Sequence, residues 1–145
     1  MEKDYTINEV ATMTGLTTRT LRTYIQMGVL NGEKRGGVWR FSAEDVSALI
    51  TNPYVRPSIQ AKSKAVVFDF LADTEKKTNE LCVILDLYAE KDEAEEISAF
   101  FCDGINRSEA TGWQFRFDRS GKHVRVSLSG PEDAVAQLLS AYYHS

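Results

Sequence analysis

The first thirty residues place helix start and stop signals close together, and this spacing constrains the fold more than any other feature. Thr6 with Glu9 has the spacing of a capping box, in which two side chains satisfy backbone donors that a first helical turn leaves unpaired. Gly15 can adopt the left-handed conformation that ends a helix. Residues Thr17–Thr18 then supply a cap for a second helix, which Gly28 ends. The sequence therefore predicts a helix, a glycine-containing turn and a second helix.

The start of the second helix carries side chains that suit nucleic acid. A helix-turn-helix places the N-terminal residues of its second helix in the major groove of DNA. Hydroxyl and guanidinium groups bind phosphates and base edges. Ordinary surface charge is the alternative interpretation of the arginines, but their position favours DNA contact. The residues predicted to contact DNA from this helix are Thr17, Thr18, Arg19 and Arg22.

A basic, glycine-rich segment follows and is typical of a wing. Asn31–Gly37 can form a hairpin tip between a strand at Val29–Leu30 and a strand at Val38–Phe41. A narrow projection of this kind can reach the DNA backbone next to the groove. Its cations are Lys34, Arg35 and Arg40.

A second capping box predicts the third helix and the end of the first domain. Ser42 with Asp45 begins this helix, and Asn52–Pro53 ends it. We assign residues 1–52 to an N-terminal winged helix-turn-helix domain. Residues 53–64 hold two prolines among polar residues and are interpreted as a linker.

Several short motifs carry a resemblance to a known family. They are Tyr5-Thr6-Ile7, Glu9-Val10-Ala11, Gly15-Leu16-Thr17, Arg19-Thr20-Leu21-Arg22, Gly28-Val29-Leu30 and Arg40-Phe41. Residues 5 to about 51 resemble the winged helix-turn-helix of the MerR family of bacterial regulators, and also the related excisionase-type modules. The resemblance implies DNA contacts from the second helix by Thr17, Arg19, Arg22 and Tyr24. It implies a backbone contact by Arg35, with Arg40 either supporting the wing or contacting DNA.

The chain departs from the family after Ile50. The family continues into a fourth helix and then a long dimerising helix, whereas this chain places Pro53 and Pro57 in a segment predicted to be extended. We therefore expect any dimerisation or sensing to come from residues 65–145.

Alternating apolar residues predict an α+β fold for residues 65–145. We expect strands at Ala65–Leu71, Leu81–Ala89, Trp113–Phe117 and Val124–Leu128, a helix capped by Asp92 with Glu95, and a last helix after Pro131. This ββαββα order predicts a small antiparallel sheet with two helices on one face. The aromatic residues could form the core under the helices or line a ligand pocket; they are Phe68, Phe70, Tyr88, Trp113, Phe115 and Phe117.

Charge and composition narrow the function. The net charge is −4, with +1 on residues 1–57 and −5 on residues 58–145, so the acidic load lies outside the predicted DNA-binding part. No secretory signal or membrane-length apolar run is present, and the two cysteines and two histidines lack metal-type spacing. We expect a cytoplasmic protein without metal or cofactor. No nucleophile motif or carboxylate pair predicts an enzyme.

The sequence thus favours a sequence-specific transcriptional regulator that binds double-stranded DNA as a homodimer, with a small molecule as a further partner of the C-terminal domain. One alternative is an excisionase-like or architectural DNA-binding protein. A second is a protein-interaction module that binds no DNA.

Overall fold

The computed structural model describes residues 3–145 and begins with three helices and a small sheet. The elements are β1 (Asp4–Thr6), α1 (Ile7–Thr14), α2 (Thr18–Met27), β2 (Glu33–Arg35), β3 (Val38–Ser42) and α3 (Ala43–Ile50). The antiparallel sheet has the order β1-β3-β2. The predicted winged helix-turn-helix architecture is confirmed.

The helix ends follow the predicted signals. The Glu9 N–H donates to the Thr6 hydroxyl at 3.1 Å, and the Thr6 N–H donates to the Glu9 carboxylate at 2.8 Å. Gly15 and Gly28 lie at φ 78° and 76°, the left-handed region that glycine adopts without a steric penalty. The Thr6 N-cap stabilises α1 by about 1 kcal/mol.

The wing begins later than predicted. Its strands turn at Gly36 and Gly37, both with positive φ, and β2 pairs with β3. The expected strand at Val29–Leu30 is wrong, because both N–H groups donate instead to the Tyr24 carbonyl, at 2.9 and 3.1 Å. These residues therefore complete the C-terminal end of α2.

The second half contains three helices and a second sheet. The elements are α4 (Arg56–Ala72), β4 (Glu80–Tyr88), α5 (Lys91–Arg107), β5 (Gln114–Ser120), β6 (His123–Pro131) and α6 (Glu132–Tyr143). The sheet is antiparallel, with β6 between β4 and β5. The α+β class is confirmed, whereas the order is αβαββα and the sheet has three strands.

Helix α4 overturns two predictions at once. The predicted linker 53–64 and the predicted strand Ala65–Leu71 are largely one helix, Arg56–Ala72. Pro57 lies in its first turn, where a missing N–H costs nothing. The residues it buries are Ile59, Ser63 and Val66, at helical spacing. The period-two pattern of residues 65–71 is therefore incidental.

Helix α5 also starts earlier than predicted. Its capping box joins Glu90 to Glu93, with the Glu90 N–H donating to the Glu93 carboxylate at 3.3 Å. The predicted capping box of Asp92 with Glu95 is wrong. Both residues nevertheless belong to the acidic segment at the start of α5, where negative charge suits the helix N-terminus.

The two halves share one continuous core. Phe115 faces Phe101 of α5, and Gly130 lies against Val135 of α6, so these helices cover one sheet face. On the other face, the Ser63 hydroxyl of α4 lies 3.2 Å from the Ser127 hydroxyl of β6. Helices α1 and α3 pack along β5, so the N-terminal domain covers that edge of the sheet.

Candidate nucleic-acid interface

The beginning of α2 is exposed and its backbone is capped by its own side chains. Thr17 is the N-cap residue, and its hydroxyl accepts from the Thr20 N–H at 3.1 Å. The same hydroxyl donates to the Thr20 hydroxyl at 3.0 Å. Thr18, the first residue of the helix, is half-buried. Thr17 therefore fixes the helix start and is also on the exposed surface.

Arg19 and Arg22 project from the first turns of α2. Both side chains are exposed, and their spacing of three residues puts them on the same helix face. Among residues 3–145, no carboxylate lies within ion-pair distance of either guanidinium. Both cations are thus available to phosphates and base edges.

Tyr24 belongs mainly to the core. Its side chain is 8% exposed, and its ring meets Tyr54 edge to face at a centroid distance of 6.2 Å. This contact packs α2 against the segment that leads into α4. Direct DNA contact by Tyr24 stays a prediction.

The three cations of the wing differ in their surroundings. The Lys34 ammonium lies 5.8 Å from the Trp39 ring centroid. Arg35 forms ion pairs with Asp4 at 2.9 Å and Glu33 at 3.3 Å. The hydrogen bond to Asp4, reinforced by both carboxylates, raises the pKa of Arg35. Arg35 would therefore have to exchange these partners to bind a phosphate.

Arg40 is less available than the other wing cations. It is half-buried, with its guanidinium 3.5 Å from the Asp4 carbonyl oxygen, the outer limit of a hydrogen bond. This position suits support of the β1–β3 pair.

An acidic groove lies beside the N-terminal domain. The open groove of about 620 Å³ lies between the N-terminal domain and α5. Its charged lining residues are Lys3, Asp4, Glu44, Asp92, Glu95, Glu96 and Asp103. This surface repels phosphates, so it is unsuited to binding DNA.

Polar contacts hold the helix-turn-helix to the second half of the chain. The Tyr5 and Ser98 hydroxyls lie 2.9 Å apart, and burial raises the pKa of Tyr5 to about 12. Lys3 joins Glu9 at 2.9 Å to Asp103 at 2.7 Å. Sequence reasoning did not identify these contacts, because their partners lie far apart in the chain and form no local pattern.

Two arginines complete this attachment. Arg116 of β5 donates to the Thr12 carbonyl of α1 at 2.8 Å. Arg56 of α4 forms an ion pair with Asp118 of β5 at 2.9 Å. Helices α1 and α4 are thus fixed to the same strand, and the predicted DNA-binding surface has a defined orientation on the second half.

A small cavity lies at this junction. It is lined by Tyr5, Val46, Ile50, Phe117 and Arg119, among others, and has a volume of about 20 Å³. That volume holds one water molecule.

Comparison with known proteins agrees with this architecture. Residues 5–51, about a third of the chain, match the family model described as MerR HTH family regulatory protein. No curated protein and no solved structure gives a significant match. Residues 5–51 form a MerR-type helix-turn-helix domain, as predicted, and this places the chain broadly among DNA-binding regulators. None of the helices in residues 3–145 is both long enough and apolar enough to span a membrane.

Proposed function

We propose that this protein is a sequence-specific transcriptional regulator that binds double-stranded DNA through α2 and the wing. The observation that carries the proposal is the exposed Arg19–Arg22 face, unpaired within residues 3–145, at the start of the second helix of a MerR-type domain. The protein acts by binding and not by catalysis. Homodimerisation and an effector site belong to the second half of the chain.

The charge distribution supports a dimeric binding mode. Residues 1–57 carry a net charge of only +1, so one domain neutralises few phosphates. Nonspecific affinity from such a surface is low and falls steeply with salt. In a dimer, two N-terminal domains (the DNA-binding heads) on adjacent half-sites would raise the effective affinity without a new contact.

The test is a fluorescence-anisotropy titration with duplexes from the region upstream of the protein's own gene, at two salt concentrations. We expect Arg19→Ala plus Arg22→Ala to weaken binding by about 100-fold, since each base or phosphate contact contributes about 1–3 kcal/mol. The slope of log affinity against log salt should fall by about two. The matched control replaces two exposed cations of the second half, Lys64→Ala plus Arg107→Ala.

The outcomes separate the functions. Absence of binding at low salt, or equal losses in the test and control variants, would reject DNA recognition and favour a protein-interaction module. Strong bending of DNA without preference for the upstream duplex would instead favour an excisionase-like or architectural role.

A further inference from the structure

Strand β4 forms an uncovered edge of the second sheet. Within residues 3–145 it pairs only with β6, whereas the opposite edge strand, β5, is covered by α1 and α3. Strand β4 is nine residues long and contains neither lysine nor proline. Proteins commonly protect edge strands with such residues, because an open edge pairs with other chains.

The hydrogen bonds at both ends of β4 show which of its backbone groups face outwards. The Ala89 N–H donates to the Lys122 carbonyl at 2.8 Å, and the Glu132 N–H donates to the Asn79 carbonyl at 3.0 Å. Odd-numbered residues therefore point their backbone groups towards β6. The even-numbered residues point their backbone N–H and C=O groups outwards, and these outward-facing residues are Glu80, Cys82, Ile84, Asp86 and Tyr88.

An apolar surface borders this edge on the α4 side. Lys62 reaches Gly15 of the N-terminal domain, so one flank of α4 faces β5 and α1. Helical periodicity places Val67 and Leu71 on the opposite flank, towards β4. Leu71 is 68% exposed and Ile84 of β4 is 41% exposed. An apolar patch of this kind next to an open edge marks an interaction surface.

We infer that β4 pairs antiparallel with β4 of a second copy of this chain, with Ile84 opposite Ile84 at the two-fold axis. This two-fold axis is perpendicular to the sheet, so each face of one sheet continues into the same face of the other. The contact between the two β4 strands is called the joint below. The joined edges exchange about ten backbone hydrogen bonds, because each outward-facing residue contributes two groups. The partner is a second copy, and the inference rests on the proposed function because that function calls for two DNA-binding heads.

Charge is compatible with this register and disfavours the one centred on Val83. With Ile84 at the centre, Cys82 lies opposite Asp86 and Glu80 opposite Tyr88, so no like charges meet. Centring on Val83 would put Glu80 opposite Asp86, which is unfavourable. The apolar side chains of the other face, Leu81, Val83, Leu85 and Leu87, would also meet only one another.

The joint combines a long strand with an apolar flank of α4. Nine residues span about 30 Å of strand, and the apolar flank of α4 widens the contact on one face. Leu71 is the exposed apolar residue of that flank.

The first test measures oligomeric state by sedimentation of the full chain at micromolar concentrations. We expect a dimer, and Ile84→Asp should raise its dissociation constant at least tenfold, since it places like charges directly opposite each other. The control is Tyr143→Asp, which alters an even more exposed apolar residue of α6 and should leave the dimer intact. Circular dichroism verifies that both variants fold. A monomeric wild type, or equal effects of the two variants, would overturn the inference.

The second test examines the register by disulfide formation in a Cys82→Ser background. Ile84→Cys should cross-link, because directly opposite residues have Cα atoms about 5.5 Å apart, within disulfide range. Tyr88→Cys is the matched control on the same face of the strand, and its two copies would lie about 27 Å apart. Efficient cross-linking through position 88, or none through position 84, would refute this register.

The two proposals can fail separately. A monomer that binds the upstream duplex would remove the β4 joint and leave DNA recognition in place. A cross-linked dimer that binds no DNA would do the reverse.

Discussion

Replacing Arg56 with methionine is predicted to destabilise the whole chain, because this residue attaches α4 to β5. Its guanidinium donates to both Asp118 oxygens at 2.9 and 3.3 Å, to the Arg119 carbonyl at 2.9 Å and to the Ile50 carbonyl at 3.2 Å. The pair is largely buried, with 20% of the Arg56 side chain and 14% of the Asp118 side chain exposed. Methionine keeps most of the aliphatic volume and removes all four hydrogen bonds.

The magnitude follows from what Asp118 loses. After Arg56→Met, its carboxylate keeps one bond, from the Arg119 N–H at 2.8 Å. Removing one partner of a fully buried ion pair costs about 3–5 kcal/mol, and an exposed pair contributes about 0–1 kcal/mol. The observed exposure places the cost between these limits, at about 2–4 kcal/mol. The melting temperature should fall by roughly 5–15 °C.

Urea unfolding at a fixed protein concentration measures this loss, with Lys122→Ala as the control. Lys122 pairs with Glu90 at the same 2.9 Å separation, but the side chains are 53% and 65% exposed. Its removal should cost less than about 1 kcal/mol. A double-mutant cycle with Asp118→Asn should give a coupling energy of at least about 1 kcal/mol. Equal losses for Arg56→Met and Lys122→Ala would refute the reasoning.

Two further predictions concern groups at the junction of the two halves. Burial, the largest influence, raises the pKa of Glu9, but the Thr6 N–H and the Lys3 ammonium hold it below its ordinary 4.5. The ionised Glu9 thus stabilises the fold above that pH, and the free energy of unfolding should fall as the pH drops below about 4.5. Urea midpoints measured between pH 3 and 7 should decline less for Glu9→Gln than for the wild type. Burial, reinforced by Glu9, raises the pKa of Cys102 from 9.0 to about 12. In the Cys82→Ser variant at pH 8, its thiol should react about a thousandfold more slowly with a disulfide reagent than in urea, and rapid native labelling would contradict this burial.

Local chemistry explains which parts of the fold could be predicted. The Thr6–Glu9 box and the glycines at positions 15 and 28 act within one or two helical turns, so the sequence alone determines them. Arg19 and Arg22 could be identified as candidates for the same reason, since their position depends only on where α2 starts. Their DNA contact remains a prediction.

Helix α4 is a part of the fold that local sequence signals do not predict. Val66, Phe68 and Phe70 alternate as a strand would, and Val67 and Leu71 are equally apolar, so a short apolar segment does not distinguish helix from strand. The strand pairing in the sheet decides between helix and strand for this segment. Strand β6 already has a neighbour on each side, β4 and β5, and α4 covers the sheet face instead. The polar contacts between the halves were equally hidden, because residues such as Tyr5 and Ser98 are ninety-three positions apart.

In the proposed dimer, the attachment of each head to β5 determines the distance between the heads. The joined sheet has the order β5-β6-β4-β4-β6-β5, so the two β5 strands lie about 24 Å apart, and each helix-turn-helix lies beyond its own β5. Successive major grooves on one face of DNA are about 34–36 Å apart. Because α1 and α4 are fixed to β5 by Arg116 and Arg56, a head cannot turn freely to match another spacing. The register of β4, far from the DNA, would therefore set the spacing of the half-sites that the protein can occupy.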